Sequence, residues 1–549
     1  MRAASQPILS RPDRRVARRE HRMTEELYDE WDVIVIGGGP AGSAVATTLA
    51  RDGRRVLIVE GARFPREHIG ESLLAVSVPI LTSLGVLPNV EREGFLRKRG
   101  AVFIWGPERR EMTLGMPYPG YAFQVSRPRF DEILLNHARS SGSYDLPEHW
   151  AKSLYWEDGR VAGVYVLAAG SAEQPRLLRS RLVVDASGLF QFVQKKLNLP
   201  LSHFGPRRVA VTAYFSSAGR YSAPYNNDVI SEATDDGWIW FIPLNDSLTS
   251  VGFVGDEADV VEKAAELVSR QIAGAPVISG LLSDAQLSRQ PRLLKYTNHE
   301  VASSLWCDGY VLIGDSAIFV DPLFSTGVHG ALYSGQLAGA AINSWLAGDL
   351  PEEVASEWYE RRFRDHYSRI RSAIELLYAL HPGEGRFWQQ RSSSKVISDE
   401  KAEQIVANVG AGALAFFGLN HENQNLPLPP AIAAQLHRRS AHRQDQTTKE
   451  QDIFRLRKSV TISADYRQES SRLAPALVLR DSEGTAAEIE LPSTGPAQRI
   501  ISSLDANRTV LATWPDPAER ADAMKLLDWL LVNGYIEKLA ELGRTEAMA

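Results

Sequence analysis

Three sets of residues in this 549-residue chain are of types and spacings that do chemistry. The first is Gly37, Gly39 and Gly42, with Pro40 and Ala41 between them. An apolar run, Asp32 to Ile36, precedes the glycines, and a helix-forming stretch from Ser43 to Arg51 follows, closing at Gly53. A second apolar run, Arg55 to Val59, ends at Glu60. In this strand–turn–helix–strand order, Gly37 allows a tight turn, Gly39 lets backbone approach a pyrophosphate, and Gly42 permits close packing of helix on strand. The helix N-terminus offers unpaired N–H groups and positive dipole to phosphates. Glu60, 18 residues after Gly42, stands where a carboxylate accepts a ribose hydroxyl. The chemistry is dinucleotide binding.

The second set is Ser325-Thr326-Gly327, at the end of Asp321-Pro322-Leu323-Phe324 and ahead of a helix expected from Val328 to about Leu346. Small residues here leave backbone N–H groups pointing outward, and the amides of Thr326 and Gly327, beside Ser325, form an anion site helped by the helix dipole. Plain capping explains the same residues. The third set is Trp238-Ile239-Trp240-Phe241-Ile242-Pro243. Period-two alternation puts Trp238, Trp240 and Ile242 on one face, and Pro243 ends the run. An ordinary strand reads the same way. Beside a redox cofactor, the two indoles would instead keep a substrate away and force the oxidising equivalent to travel.

Two later apolar strands, Leu182 to Gly188 and Gly309 to Ala317, resemble those of two-domain flavoproteins of the hydroxybenzoate hydroxylase type. That resemblance implies FAD rather than NAD, with Asp315 accepting a ribityl hydroxyl, a task suited to an acceptor-only carboxylate; a helix N-cap is compatible with it. It also implies that Arg127 contacts the cofactor phosphates or adenine side. From Gly37 to Gly330 the chain resembles the flavin-dependent halogenases in GGGPAGS, GESLL (with Glu71 and Ser72 near the flavin), WIWFIP and GDSAIFVDPLFSTG. Pro322 and Gly327 of the last motif join the expected cofactor set, and Ser325, Thr326 and Gly327 the halide set. The resemblance implies that reduced FAD and oxygen convert chloride or bromide to hypohalous acid, which passes to a separate aromatic pocket, in natural-product (antibiotic) biosynthesis. Tryptophan halogenases of that family carry glutamate where this chain has Phe324, which argues for a phenolic or otherwise activated ring, free or tethered to a carrier protein. Lys98, 27 residues after Glu71 and ahead of a strand with Phe103 and Trp105, matches the family's lysine. It would polarise hypochlorous acid or hold chlorine as a chloramine. A solvated basic turn with Arg97 and Arg99 is the bland reading. Lys98, Trp238 and Trp240 are thus the catalytic candidates.

These residues need elements to carry them. The expected fold is α/β: a Rossmann-like FAD-binding domain over 31–345, interleaved with a β-sheet substrate domain at about 128–180 and 200–300. A helical region follows over 346–420, where Trp358, Tyr359, Phe363, Tyr367 and Ile370 recur at helical spacing. A polar linker is expected over 421–451, and a small C-terminal α+β, winged-helix-like appendage over 452–549. Residues 1–30 read as a basic, disordered leader, or as a mis-called start with Met23 the first residue. No second GxGxxG in strand–helix context exists, so a separate flavin reductase is the expected source of reduced flavin.

Bulk composition narrows the class. A net charge of -6 argues against a nucleic-acid partner. Cys307 is the only cysteine, which excludes an intrachain disulfide and a cysteine metal site and fits a cytoplasmic location. No run of eighteen apolar residues exists to span a membrane. An aromatic hydroxylase, active without halide, is the nearest alternative; a reductase of the geranylgeranyl type and a flavin- or DNA-binding regulator acting through the tail are further ones.

Overall fold

The computed structural model describes residues 30–105, 110–115, 120–260, 263–379, 381, 385–392, 454–482, 489–494, 496–504, 516–532 and 535–538. Residues 1–29 of the expected 1–30 leader, the end of the helical region over 393–420 and the linker over 421–451 lie outside them, and Glu30 starts the first strand instead. A first sheet is built on five parallel strands in the order Tyr310–Leu312, Arg176–Asp185, Glu30–Ile36, Val56–Glu60 and Tyr144–Pro147. Val33–Ile36, Val56–Glu60, Leu182–Asp185 and Tyr310–Leu312 are buried at every position, which is why these runs are near-continuously apolar rather than alternating. Ile36, Asp185 and Leu312 lie side by side across three neighbouring strands. The turns that follow them, with Gly37, Ala186 and Gly314, therefore open along one edge, where open parallel sheets bind ligands.

A second sheet runs in the order Ile318–Phe319, Gln286–Val301, Leu201–Ser216, Leu248–Asp256, Gly237–Pro243, Val229–Thr234, Gly100–Trp105 and Arg110–Gly115. Its boundaries correct the expected ones. Residues 128–180 do not belong to it: Arg127–Ser140 is a helix, started by Pro128 at its first turn and burying Phe130, Ile133, Leu134 and Ala138 at helical spacing. The strands at Tyr144–Pro147, His149–Glu157, Arg160–Ala168 and Arg176–Asp185 all extend the first sheet. Gly100–Trp105 joins the second sheet instead, pairing in parallel with Val229–Thr234.

Two helices close the frame over the sheet edge. Gly327–Ala347 packs on the nucleotide helix Pro40–Arg51, with Gly335 and Gly339 leaving no room for side chains against Ala41 and Thr48. Glu352–Ala379 packs on it in turn, burying Trp358, Tyr359, Phe363, Tyr367 and Ile370 as their spacing predicts. Beyond it the C-terminal α+β unit has a three-stranded antiparallel sheet (Val460–Glu469, Arg472–Asp481, Ile489–Pro492) and helices Pro496–Ser503 and Pro517–Val532. It is tied to the frame by Arg472 on Asp52, by Arg361 on Asp465, and by Trp358 Nε1 donating to the Tyr466 carbonyl at 2.7 Å.

Candidate active site

One cavity of about 620 Å³ connects the glycine turn of the first sheet to the tryptophan strand of the second. Gly37, Gly39, Pro40, Ala41, Glu60, Glu71, Ser72, Arg127, Asp315, Pro322, Ser325, Gly327, Trp238 and Trp240 all line it, so nearly every residue expected at the site meets in one space. Close backbone contacts restrict Gly37 and Gly42 to glycine. Gly37 has φ of 104°, and a side chain there would meet the Ala186 carbonyl at 2.5 Å. A Cβ at Gly42 would collide with the Gly37 carbonyl oxygen. Glu60 accepts hydrogen bonds from the Gly38 and Ala62 amides, each at 2.7 Å, which fixes its carboxylate at the cavity wall.

Asp315 supplies the test of whether a polyol-bearing cofactor fits. Its carboxylate lines the cavity and makes no protein hydrogen bond among the described residues. Burial pushes its pKa up to about 7, opposed by the Arg127 guanidinium. A carboxylate so placed calls for donors from a ligand, and ribityl hydroxyls are such donors. Two cations stand nearby. Arg127 grips Asp131 at 2.8 and 3.0 Å and also donates to the Ile69 carbonyl. Arg66, which sequence reasoning missed, pairs with the same Asp131 at 3.5 Å and lies 3.1 Å from where a Gly39 side chain would be. Its only signal was its place in the loop between Glu60 and Gly70, where an arginine has many ordinary uses.

Ser325 adopts a left-handed conformation, φ 58°, and the helix begins at Gly327, whose missing side chain leaves open space. Thr326 is buried at 2% exposure, and its hydroxyl has no hydrogen-bond partner among the described residues. An orphaned donor at a helix N-terminus fits a bound anion. Phe324 is buried beside Phe103, with ring centres 5.9 Å apart.

Trp238 and Trp240 face the cavity with ring centres 6.1 Å apart, while Ile239 and Phe241 pack into a separate core on the other face. A network unseen in the sequence holds Trp238. Its Nε1 donates to the Tyr378 hydroxyl at 2.9 Å, Arg208 donates to the same oxygen at 3.0 Å, and Tyr378 donates to Asp321 Oδ1 at 2.9 Å. Arg208 also pairs directly with Asp321, which caps the Leu323 amide in the anion turn. Trp240 Nε1 donates to Ser250 Oγ at 3.3 Å, and its ring fills the space that a side chain at Gly252 would need. Beside it, Tyr214 donates to Glu71 at 2.7 Å. Burial raises the Glu71 pKa, and the Tyr214 and Ser250 hydrogen bonds oppose it.

Lys98 is not on a solvated turn. It ends the short strand Leu96–Lys98, paired with Ala122–Gln124, and strand alternation puts Arg97 and Arg99 outside and Lys98 inside at 1% exposure. Nζ donates to Ser72 Oγ at 2.5 Å. Burial pushes its pKa down to about 7, and the Asp228 carboxylate pulls the other way.

The tryptophan halogenase profile matches residues 32–117 and 106–426, well over half of the chain. This chain belongs to the tryptophan halogenase family. The halogenase is 34% identical over 390 residues to the Tryptophan 2-halogenase of Chondromyces crocatus, covering 66% of this chain and 71% of that one. It is 30% identical over 384 residues to the 1H-pyrrole-2-carbonyl-[peptidyl-carrier protein] chlorinase of Pseudomonas fluorescens, covering 64% and 82%. Among solved structures it is similar to the myxobacterial chondrochloren halogenase CndH, at 32% identity and TM-score 0.61, covering 72% of this chain and 99% of CndH. It is also similar to the flavin-dependent halogenase CmlS, at 25% identity and TM-score 0.72, covering 94% and 98%. The halogenase is therefore an enzyme that uses FAD and halide.

Three expected residues stand apart from the cavity wall of the halogenase, Gly42 among them, packed under the Gly37 turn. Thr326 and Lys98 are not among the residues that line it; each lies behind one that is, Ser325 or Gly327 in the first case and Ser72 in the second. Among the described residues no cluster of His, Cys, Asp or Glu could hold a metal, and no helix is long and apolar enough to cross a membrane.

Proposed function

We propose that this halogenase transfers halogen to an activated, phenol-type ring, free or carried on a carrier protein. The observation that carries this reading is Phe324. The position ahead of Ser325-Thr326-Gly327 holds an apolar ring packed against Phe103, so no carboxylate there assists a less reactive ring carbon. A phenol supplies its own electron push from oxygen. The named pyrrole chlorinase, whose substrate is an electron-rich ring on a carrier protein, supports both halves of the proposal.

Bound reduced FAD supplies, with oxygen, the power to oxidise halide to hypohalous acid. The chain's own residues do the rest. Glu60 holds the ribose and Asp315 the ribityl chain, and Arg66 and Arg127 set positive charge near the diphosphate. Glu71, Ser72, Pro322 and Gly327 shape the wall around the ring system. The amides of Thr326 and Gly327, with Ser325, hold the halide at the helix N-terminus. Trp238 and Trp240 exclude the substrate ring from the cofactor and confine the oxidant. Lys98 carries the halogen-transfer step. A separate flavin reductase delivers the reduced cofactor.

The test is mass spectrometry of products from a panel of free phenols, carrier-bound phenols and tryptophan, with FAD, a flavin reductase and chloride or bromide. Halogenated phenols are expected. Halogenated tryptophan alone would replace the ring assignment, and oxygenated products formed without halide would favour the hydroxylase reading.

A further inference from the structure

The Lys98 amine has no face on the cofactor cavity, whereas Ser72, the side chain it touches, does. Both backbones are pinned. Lys98 lies opposite Ala122 and Ser72 opposite Gln124, two positions apart on the same central strand. The Leu73 amide is bonded to the Phe123 carbonyl at 2.9 Å and the Val125 amide to the Glu71 carbonyl at 2.7 Å. Lys98 donates to Ser72 Oγ, which leaves the serine's own O–H proton to be donated elsewhere, and no acceptor for it exists among the described residues. The side of Ser72 not covered by Lys98 is the cavity.

We propose that Ser72 is a catalytic residue: its hydroxyl donates to hypohalous acid in the cavity, and Lys98 acts through it as the proton supply. This rests on the halogenase reading above and chooses between the two uses of Lys98 raised by the sequence, since an amine behind the wall is badly placed to take up halogen itself. The step balances. The ring carbon's electron pair bonds to halogen as the halogen–oxygen bond breaks. The departing oxygen keeps that bond's electrons and takes the Ser72 proton, leaving as water. Ser72 takes a proton from the Lys98 ammonium, and the proton lost from the ring returns to solvent and thence to Lys98. The ring is oxidised by two electrons and the halogen is reduced from its positive to its halide-like bonded state. Donation from Lys98 to Oγ makes the serine O–H a stronger donor, as in any hydrogen-bonded chain.

The surroundings suit a proton supply near neutrality. Asp228, 2% exposed, is the charged group that acts on Lys98 from the neighbouring segment. Its Oδ1 holds the Arg99 amide at 2.8 Å and its Oδ2 has no hydrogen-bond partner among the described residues. Arg97 points outward to Glu91 at 2.6 Å, Arg99 is exposed, and Glu71, next to Ser72, is turned to Tyr214. A donor whose pKa lies near the working pH is the most effective general acid.

Two arms test this on the full chain. In the first, wild type, Ser72→Ala, Ser72→Thr and Lys98→Ala are loaded with FAD and given a flavin reductase, chloride and phloroglucinol as the probe ring. Product per flavin oxidised should fall roughly 100-fold in Ser72→Ala, with FAD affinity unchanged, and return to within about three-fold of wild type in Ser72→Thr. The wild-type yield should decline as pH rises through about 7, and Asp228→Asn should move that decline to lower pH. Wild-type yield in Ser72→Ala, a fall explained by lost FAD, or a yield that rises with pH through 7 would each overturn the relay. In the second arm the FAD-free chain meets one equivalent of hypochlorite and is mapped at once by mass spectrometry. Lys98 should stay unchlorinated; chlorine on Lys98 would overturn the proposal. If wild type halogenates no ring at all, the functional reading fails on its own, and the second arm still decides the geometry of Ser72 and Lys98.

Discussion

The frame buries single charged side chains of the site away from water. Lys98 shows the cost of doing so. Its pKa lies near 7 in the folded protein against the ordinary 10.5, so between these values the unfolded chain binds more protons than the folded one. Stability must then rise with pH across that window, by at most ~1.4 kcal/mol per pH unit from this group. Urea unfolding of wild type and Lys98→Met from pH 7 to pH 10 should show that slope in the difference between them; parallel curves would mean that Lys98 keeps its ordinary pKa in the folded protein. Asp315 has the opposite sense. Burial holds its carboxyl above the usual carboxylate range, and hydroxyl donors from a ligand would lower it, so FAD binding should release protons near pH 7, and Asp315→Asn should abolish the release. Calorimetry in buffers of different ionisation enthalpy measures it directly.

Elements decide which of these side chains meet. The helix Glu352–Ala379 carries Tyr378 in its last turn, which joins the tryptophan strand through Trp238 and the Asp321–Gly327 turn through Asp321. Tyr378→Phe keeps the ring but strands the Trp238 N–H and one Arg208 donor in a buried setting, a loss of about 1–3 kcal/mol. The expected phenotype is FAD still bound, a raised KM for chloride and more oxidant leaking without product. Trp240→Ala should leak oxidant with the chloride KM unchanged, since Trp240 is tied to Ser250 and not to the anion turn. A hypohalous acid trap separates the two variants; identical behaviour would dissolve the distinction. Much of this element level was legible in the sequence, because a glycine turn between two apolar strands is a local signal, as is period-two alternation at Trp238 and Trp240. Residues 128–180 were misread because aromatic and β-branched residues also populate a helix face and sheet-extending strands, and only pairing partners tell these apart. The set Arg208, Asp321 and Tyr378 was invisible for a related reason: its members come from three distant segments with no spacing rule between them. Burial of Lys98 was hidden by its flanking arginines, which are indeed exposed.

At the scale of the whole molecule, the match to CndH leaves over a quarter of this chain outside the shared catalytic frame, whereas CmlS shares nearly all of it. The C-terminal unit lies on the helix that carries Tyr378, held by Trp358, Arg361 and Arg362. The described frame contains one glycine-turn nucleotide site, built from the first sheet, and a single connected cavity leads from it to the tryptophan strand. The purified enzyme should therefore oxidise NADPH negligibly, with or without substrate, until a flavin reductase is added. Rapid substrate-stimulated NADPH oxidation by the pure protein, followed at 340 nm, would count against this.

The two indoles on the cavity wall also give the protein optical properties. Trp238 and Trp240, two of twelve tryptophans in the chain, line the same cavity as the glycine turn. Indole emission overlaps flavin absorption, and an adjacent indole quenches excited flavin by electron transfer. The bound cofactor should thus be nearly dark while the free cofactor is bright. Handover of flavin from a partner, its capture and its loss become visible in real time as changes of colour and glow, with no label attached to either protein.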